Sequence, residues 1–215
     1  MPLRDHYRPP LDDITSWEGF HGQWPAMIVA ALNRQLPPRY AAEPRVHLGA
    51  SMEIDVSANN KVVTDLPDQY EYEVRVYQRK PHRRLVAAVE IVSPGNKDRL
   101  ENRRAFVSKC VALLQQRVSV AFVDLVTTRQ FNLYGDLLEL IGQADPALAP
   151  EPPSLYAAAC RWTHLGEGRR FQAWTHALAI GQPLTTLPLW LAEDFAVPLE
   201  LEATYEETCR ILRLA

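Results

Sequence analysis

Residues 85–92 read LVAAVEIV; after the break Ser93-Pro94-Gly95-Asn96 comes a helical pattern over 98–117, and then VSVAFVDLV at 118–126. The first and last runs are almost wholly apolar, as expected of strands covered on both faces. Between them Leu100, Val107, Cys110, Val111 and Leu114 recur at helical spacing. Strand, helix and strand in about 40 residues make a βαβ unit, and such crossovers pair their strands in parallel with right-handed connection. This unit decides the fold class.

Outward from it, residues 70–78 (YEYEVRVYQ) alternate, and the turn Lys80-Pro81-His82-Arg83-Arg84 joins them to 85–92. That reads as an antiparallel hairpin. Residues 45–56 (RVHLGASMEIDV) alternate too, with Val46, Leu48, Met52, Ile54 and Val56 on one face and His47, Ser51, Glu53 and Asp55 on the other. A polar loop fills 57–69. Residues 1–15 are a proline-rich irregular arm, followed by a helix over 17–36 that Thr15 or Ser16 caps and Pro37-Pro38 stops. Its apolar side is expected at Ala26, Met27, Val29, Ala30, Leu32 and Leu36, with Pro25 splitting off a first turn. Towards the C-terminus the pattern predicts a short helix over 133–142, a loop over 146–153 and a strand over 171–181. Thr204 and Glu207 fit a capping box for a last helix to Leu214, whose start the stretch from Leu199 to Ala203 leaves open.

The expected fold is α/β: a mixed sheet with a parallel βαβ core flanked by helices. A length of 215 residues suits one domain over 1–215, with an arm and helix at 1–40, a core at 45–142 and a completing strand and helix at 154–215. Apolar residues at 47% and charged ones at 23% exclude disorder, collagen and coiled coil. A net charge of −3 excludes a global basic field, so nucleic-acid binding would need a local patch. The 17 prolines exceed the ~11 expected of a chain this long. Cys110, Cys160 and Cys209 are odd in number and far apart, which predicts buried free thiols in a reducing, cytoplasmic setting. The N-terminus has no apolar signal core, and no run approaches the ~18 apolar residues of a membrane span.

Gly-rich phosphate loops, GxSxG, HExxH and paired CxxC are absent. Glu90 is the residue that stands out, because a carboxylate in an apolar central strand costs several kcal/mol unless paired, protonated or metal-bound. The bland reading is an edge-facing glutamate, or one bonded to a neighbouring arginine. Asp55 closes the earlier strand on its polar face, with Glu53 beside it. Acids from neighbouring strand ends can hold Mg²⁺ or Mn²⁺, hard ions that take oxygen ligands. A solvated strand face is the competing reading for both.

The run Glu90-Ile91-Val92-Ser93-Pro94-Gly95-Asn96-Lys97, with Arg103, Phe106 and Lys109 beyond it, resembles the signature of a bacterial family catalogued as a domain of unknown function. That pattern is glutamate, two aliphatics, Ser-Pro-x-Asn-Lys, then Arg-x-x-Tyr-x-x-Lys. The opening MPLRDHYRPP with Trp17 and His21, and the stretch from Gly181 to Leu191, resemble the same family's ends. The family is similar in turn to the PD-(D/E)XK, or restriction-endonuclease-like, group and its Uma-type relatives. The resemblance implies a nuclease-like core, with Asp55 as first acid, Glu90 as second and Mg²⁺ between them. Two positions depart from the pattern: Ile54 replaces the usual proline, and Val92 stands where the lysine is expected.

Lys97 or Arg103 is expected to supply the missing basic group. Arg103 falls in the helix's apolar stripe, which turns it toward the sheet and Glu90, while Lys109 faces nearly the other way as surface charge. Asp124 interrupts an apolar strand, either toward the site or in a structural pair. The turn at 79–84 is the dense positive cluster, read as a phosphate contact for nucleic acid or as a solvated hairpin tip. His6, His21, Trp17 and Trp24 are expected to pack where the N-terminal helix docks. The functional expectation is a Mg²⁺-dependent phosphodiester hydrolase or a degenerate remnant of one. The rival is a non-catalytic binding module that keeps the fold.

Overall fold

The protein is described by a computed structural model covering residues 2–48, 70–79, 82–148, 150–165 and 168–214. After helix α1 (Trp17–Gln35) come strands β1 (Tyr40–Leu48), β2 (Tyr70–Gln78) and β3 (Arg84–Ile91), then helices α2 (Pro94–Asp98) and α3 (Leu100–Gln115). Strand β4 (Ser119–Asp124), helix α4 (Leu133–Leu140) and strands β5 (Tyr156–Leu165), β6 (Gly168–Ala177), β7 (Thr186–Trp190) and β8 (Ala196–Glu200) follow, and α5 (Leu201–Ile211) closes the chain. Six strands form one mixed sheet in the order β1-β2-β3-β4-β5-β6, and β7 with β8 forms a second. As expected, β3 is parallel to β4 and antiparallel to β2.

Alternation along β3 divides the interior. Ala87, Val89 and Ile91 pack with α1, α5 and the small sheet, whereas Ala88 and Val92 face α3 and α4. Glu90 shares the second side. Among the described residues no helix is long and apolar enough to cross a membrane. Cys110, Cys160 and Cys209 are free and buried, as expected.

Several elements differ from the sequence expectation. Strand β1 begins at Tyr40, five positions before the expected start at 45, and Val46 is exposed rather than packed. Pro44 is tolerated within it because β1 is an edge strand, where a missing N–H costs no ladder bond on the outer side. The rest of the expected strand, with Glu53 and Asp55, lies outside the described residues. Helix α1 runs through Pro25, and its buried face is Trp17, Phe20, His21, Trp24, Pro25, Ile28 and Leu32; of the expected aliphatic stripe Leu32 is buried, and Val29 and Leu36 pack at its margin. Pro25 forfeits the bond to the His21 carbonyl, yet the aromatic face continues unbroken on either side. Ser16 provides the cap, accepting from the Gly19 N–H.

The histidines and tryptophans do pack at this docking surface. His6 contacts the Tyr205 hydroxyl at 2.8 Å, His21 the Ile91 carbonyl at 2.9 Å, and Trp24 donates to Thr204 Oγ1 at 3.0 Å. That last bond occupies Thr204 inside α5, so no capping box forms there and the helix starts at Leu201. Strands β5, β7 and β8 had no counterpart in the sequence expectation, and β6 was expected only from 171. β7 and β8 carry Pro188 and Pro198 and are five residues each, which weakens any strand signal.

The Ser-Pro-x-Asn turn has a structural reading. Ser93 caps α2: its side chain accepts from the Asn96 N–H, Asn96 Oδ1 accepts from the Ser93 N–H at 2.9 Å, and Pro94 takes the first helical turn. Reciprocal capping satisfies two orphan donors at the point where the chain leaves the sheet. We expect Ser93→Ala to cost about 1 kcal/mol. Urea midpoints check it; an unchanged midpoint would show the cap to be dispensable.

Candidate functional site

The pairing of β2 with β3 builds the site. It starts at Gln78↔Arg84 and Tyr77↔Leu85, then shifts to Val76↔Ala87, leaving Val86 as the extra residue of a bulge. Beyond the bulge Glu73 stands opposite Glu90. Without it the register would continue to Tyr72↔Glu90, and Glu73 would point to the other face. Both Val86 and Ala87 pack into the α1-side core, which holds the bulge in place.

Both carboxyls are buried, Glu73 at 0% and Glu90 at 2% exposure. Lys109 reaches them from α3, with Nζ 2.8 Å from Glu90 Oε2 and 3.6 Å from Glu73 Oε2. Arg75 Nε lies 2.6 Å from Glu73 Oε1, and Arg45 Nε 3.9 Å from the same oxygen. The pair is lopsided, since these arginines favour Glu73 while Lys109 bridges to Glu90. Burial pushes the Glu90 carboxyl up to about 7; Lys109 opposes that rise, and the Glu73 charge and hydrogen bond add to it. Glu90 Oε1 is buried without a donor, and a proton shared with Glu73 would satisfy it. A buried carboxyl raised toward neutrality in this way is a usual basis of acid–base chemistry.

A second buried pair sits beside the α2 turn. Lys97 Nζ contacts Asp124 Oδ2 at 2.8 Å with both side chains fully buried, and donates to the Ser154 carbonyl at 3.2 Å. Asp124 Oδ1 accepts from the Val126 N–H at 3.0 Å. Burial raises the Asp124 carboxyl to about 6 against the pull of Lys97. The pair ties α2 to the end of β4.

Of the residues expected to carry chemistry, Glu90 is at the glutamate pair and Asp55 lies outside the described residues, as does Glu53. Lys97 is not at the pair; it is consumed by Asp124. The reading of Arg103 is corrected: it stacks on Phe131 with its guanidinium carbon 3.8 Å from the ring centroid, and its Nη1 lies 3.6 Å from Asp136. The reading of Lys109 as surface charge is corrected as well. Helical phase explains Lys109: the buried stripe of α3 is Phe106, Val107, Cys110, Leu113 and Leu114, turned away from the exposed Leu100, and this brings Lys109 from the far side to the flank facing β2. Arg103 keeps the phase of that stripe, but it lies in the first turn of α3, where its neighbours are Phe131 and Asp136 rather than the sheet. Glu73 and Arg75 were missed because they occupy the polar parity of an alternating strand, which ordinarily means solvent. The available signal was the hairpin itself, but only the bulge gives its register. The basic turn is partly spent: Arg83 pairs with Glu43 and lies 3.8 Å from the Tyr77 ring centroid.

Among the described residues, no group of three or more His, Cys, Asp or Glu is placed to hold a metal ion. Family models, curated proteins and solved structures return no match to this chain.

A carboxyl whose folded pKa exceeds its unfolded value stabilises at low pH, and that contribution is lost as pH rises. For Glu90 the window runs from its ordinary 4.5 to about 7. Wild type should therefore lose roughly 3 kcal/mol between pH 5 and 8 relative to Glu90→Gln, with Asp124 contributing equally to both proteins. Denaturant midpoints at the two pH values decide it, and parallel profiles would refute the shared proton. At pH 8, Lys109→Ala should cost about 2–3 kcal/mol because it strips a cation from two buried acids, against about 0.5 for Arg103→Ala. Equal midpoints for those two variants would contradict the geometry.

Proposed function

We propose that the chain is a metal-dependent phosphodiester hydrolase with a restriction-endonuclease-like core, or a remnant of one, in which Glu73 and Glu90 form the acid pair and Lys109 is the basic residue. The observation that carries this reading is the facing of Glu73 and Glu90 across adjacent strands, with a lysine ammonium between them. The finer fold assignment is supported by a hairpin leading into a parallel β3–α3–β4 crossover, with the acids on the helix side. Lys109 takes the place that Val92 vacates, and its match to the last lysine of the signature fits that role.

Mg²⁺ suits the donors present. Glu90 Oε1 is a buried oxygen without a donor beside a second carboxyl, and hard cations select such oxygens. Glu73 and Glu90 would hold the ion, with Asp55 as the further acid implied by the resemblance. Once bound, Mg²⁺ would offset charge developing on the phosphodiester and lower the pKa of a ligated water. The protein's own part is distinct. Lys109, with its side chain 27% exposed, can present its ammonium to a non-bridging phosphate oxygen. Glu90, ionised as a ligand to the ion, would orient the attacking water beside the phosphate. Arg75 and Arg45 hold Glu73 in place. The binding-module reading has its own support: the same cations already compensate the acids, so the cluster is self-sufficient without metal.

Cleavage of supercoiled plasmid, duplex and single-stranded oligonucleotides with Mg²⁺ or Mn²⁺ tests the proposal. Wild type should cleave, and Glu73→Gln, Glu90→Gln and Lys109→Ala should each lose 10²-fold or more, with Arg103→Ala close to wild type. Mn²⁺ should raise the melting temperature of wild type and not that of Glu90→Gln. Neither cleavage nor a metal-dependent shift in wild type would leave the binding-module reading.

A further inference from the structure

At the opposite end of the sheet the N-terminal ends of β3 and β4 and the C-terminal half of β5 border a cavity of about 270 Å³. Arg84, Arg117 and Arg161 line it with Ser119 and Trp162, and Glu193 is the acidic residue on its wall. Arg161 is fixed in position. Its Nε donates to Gln172 Oε1 at 2.8 Å, its Nη1 to the Glu193 carbonyl at 2.9 Å, and its guanidinium lies 3.4 Å from the Trp190 ring centroid. Arg84 donates to Gln78 Oε1 at 3.3 Å, and Arg117 is exposed at the end of α3. Trp162 also lines the neighbouring groove between α3 and α4, of about 640 Å³, with Val111, Ala112 and Ile141. One indole therefore stands between an arginine pocket and an apolar groove.

We propose that this pocket binds the phosphate of a nucleotide, free or within a polynucleotide strand, with the adjoining base against Trp162. Guanidinium forks match phosphate oxygens, and aromatic faces stack on any base. Positive charge gathers here although the whole chain is acidic. Arg84 and Glu90 are six residues apart on β3, hence about 20 Å, so the site is separate from the glutamate pair. The proposal goes beyond the hydrolase reading and does not rest on it.

The backbone supplies a clean variant. Arg117 ends α3 with φ 63°, its N–H bonding the Leu114 carbonyl and the Val118 N–H the Leu113 carbonyl. That is the helix-ending turn in which glycine is the favoured residue. Arg117→Gly thus removes a guanidinium and relieves the left-handed backbone at once. Arg213 ends α5 in the same geometry at φ 56°, far from the pocket, so Arg213→Gly is the matched control.

Binding is measured by fluorescence anisotropy of a labelled oligo(dT) in EDTA on the Glu90→Gln protein, which separates this test from the catalytic one. Arg117→Gly and Arg84→Gln should each weaken binding about tenfold and lower the salt slope by about 0.7, with melting temperature kept or raised in Arg117→Gly. Arg213→Gly should bind as its parent does. Displacement by dTMP at a concentration comparable to the oligonucleotide assigns the site to a free nucleotide, and much weaker displacement assigns it to a strand; either supports a phosphate site. Full affinity in both pocket variants, equal loss in Arg213→Gly, no binding by the parent, or equal displacement by polyglutamate would overturn it.

Discussion

A single extra residue, Val86, sets which face of the sheet receives Glu73. Because side chains alternate with period two, one residue of slip exchanges every contact between two strands. Here the slip faces two carboxyls in a dry interior, an arrangement that stands only if charge is compensated. The rest of that side of the molecule can be traced from this need. Helix α3 must present Lys109 at one level along its axis, and the α2 turn that leads into it is held by the Ser93 cap and by Lys97 locked on Asp124, with Asn102 of α3 donating back to the Gly95 carbonyl. The strand before the turn, the turn itself and the helix after it therefore act as one positioning unit.

The two buried ion pairs divide the lysines of the signature between them. Lys97 has no exposed surface, and its ammonium is engaged by Asp124 and the Ser154 carbonyl, so it cannot meet a ligand without displacing the α2 turn that carries it. Lys109 is open to solvent along part of its length, and the acids behind it are not. An ammonium at the mouth of a buried diacid can exchange one anionic partner for another as a ligand arrives. The Lys97 pair is closed to solvent; the Lys109 cluster is open on one side.

Much of the fold was legible because apolar runs and breaks report burial directly: 85–92 and 118–126 could only be central, and their spacing demanded a parallel crossover. The α5 start, the aromatic face of α1 and strands β5, β7 and β8 were not. In each case tertiary contact overrides local pattern, as when Trp24 takes the Thr204 hydroxyl that a cap would use. The site was half legible. Glu90 violates its apolar strand and so announces itself. Glu73 obeys the alternation of its own strand, and nothing local tells a polar face bound for water from one bound for a buried lysine. Lys109 was misread because the expected stripe included Leu100, whose apolar side chain is exposed, and Arg103 because its phase says nothing of its level along the helix, where it meets α4 rather than Glu90.

Departures from local rules sort by whether the fold accounts for them. Pro44 in a strand is explained by the sheet edge, and Pro25 in a helix by the aromatic face that continues across it. The Glu73–Glu90 pair is compensated by neighbouring cations but not required by packing, since two apolar residues of similar volume would fill the same space at lower desolvation cost. Arg117 at a left-handed position is likewise not demanded by the turn, which glycine would satisfy with less strain. Arg213 shows that the same helix ending can carry an arginine that does not line this pocket, so backbone geometry alone singles out neither residue. What distinguishes Arg117 is its company: two further guanidiniums and an indole line the same pocket. Residues that cost stability without serving the core are the expected marks of a site. By that criterion two clusters stand out as candidates, one at each end of β3.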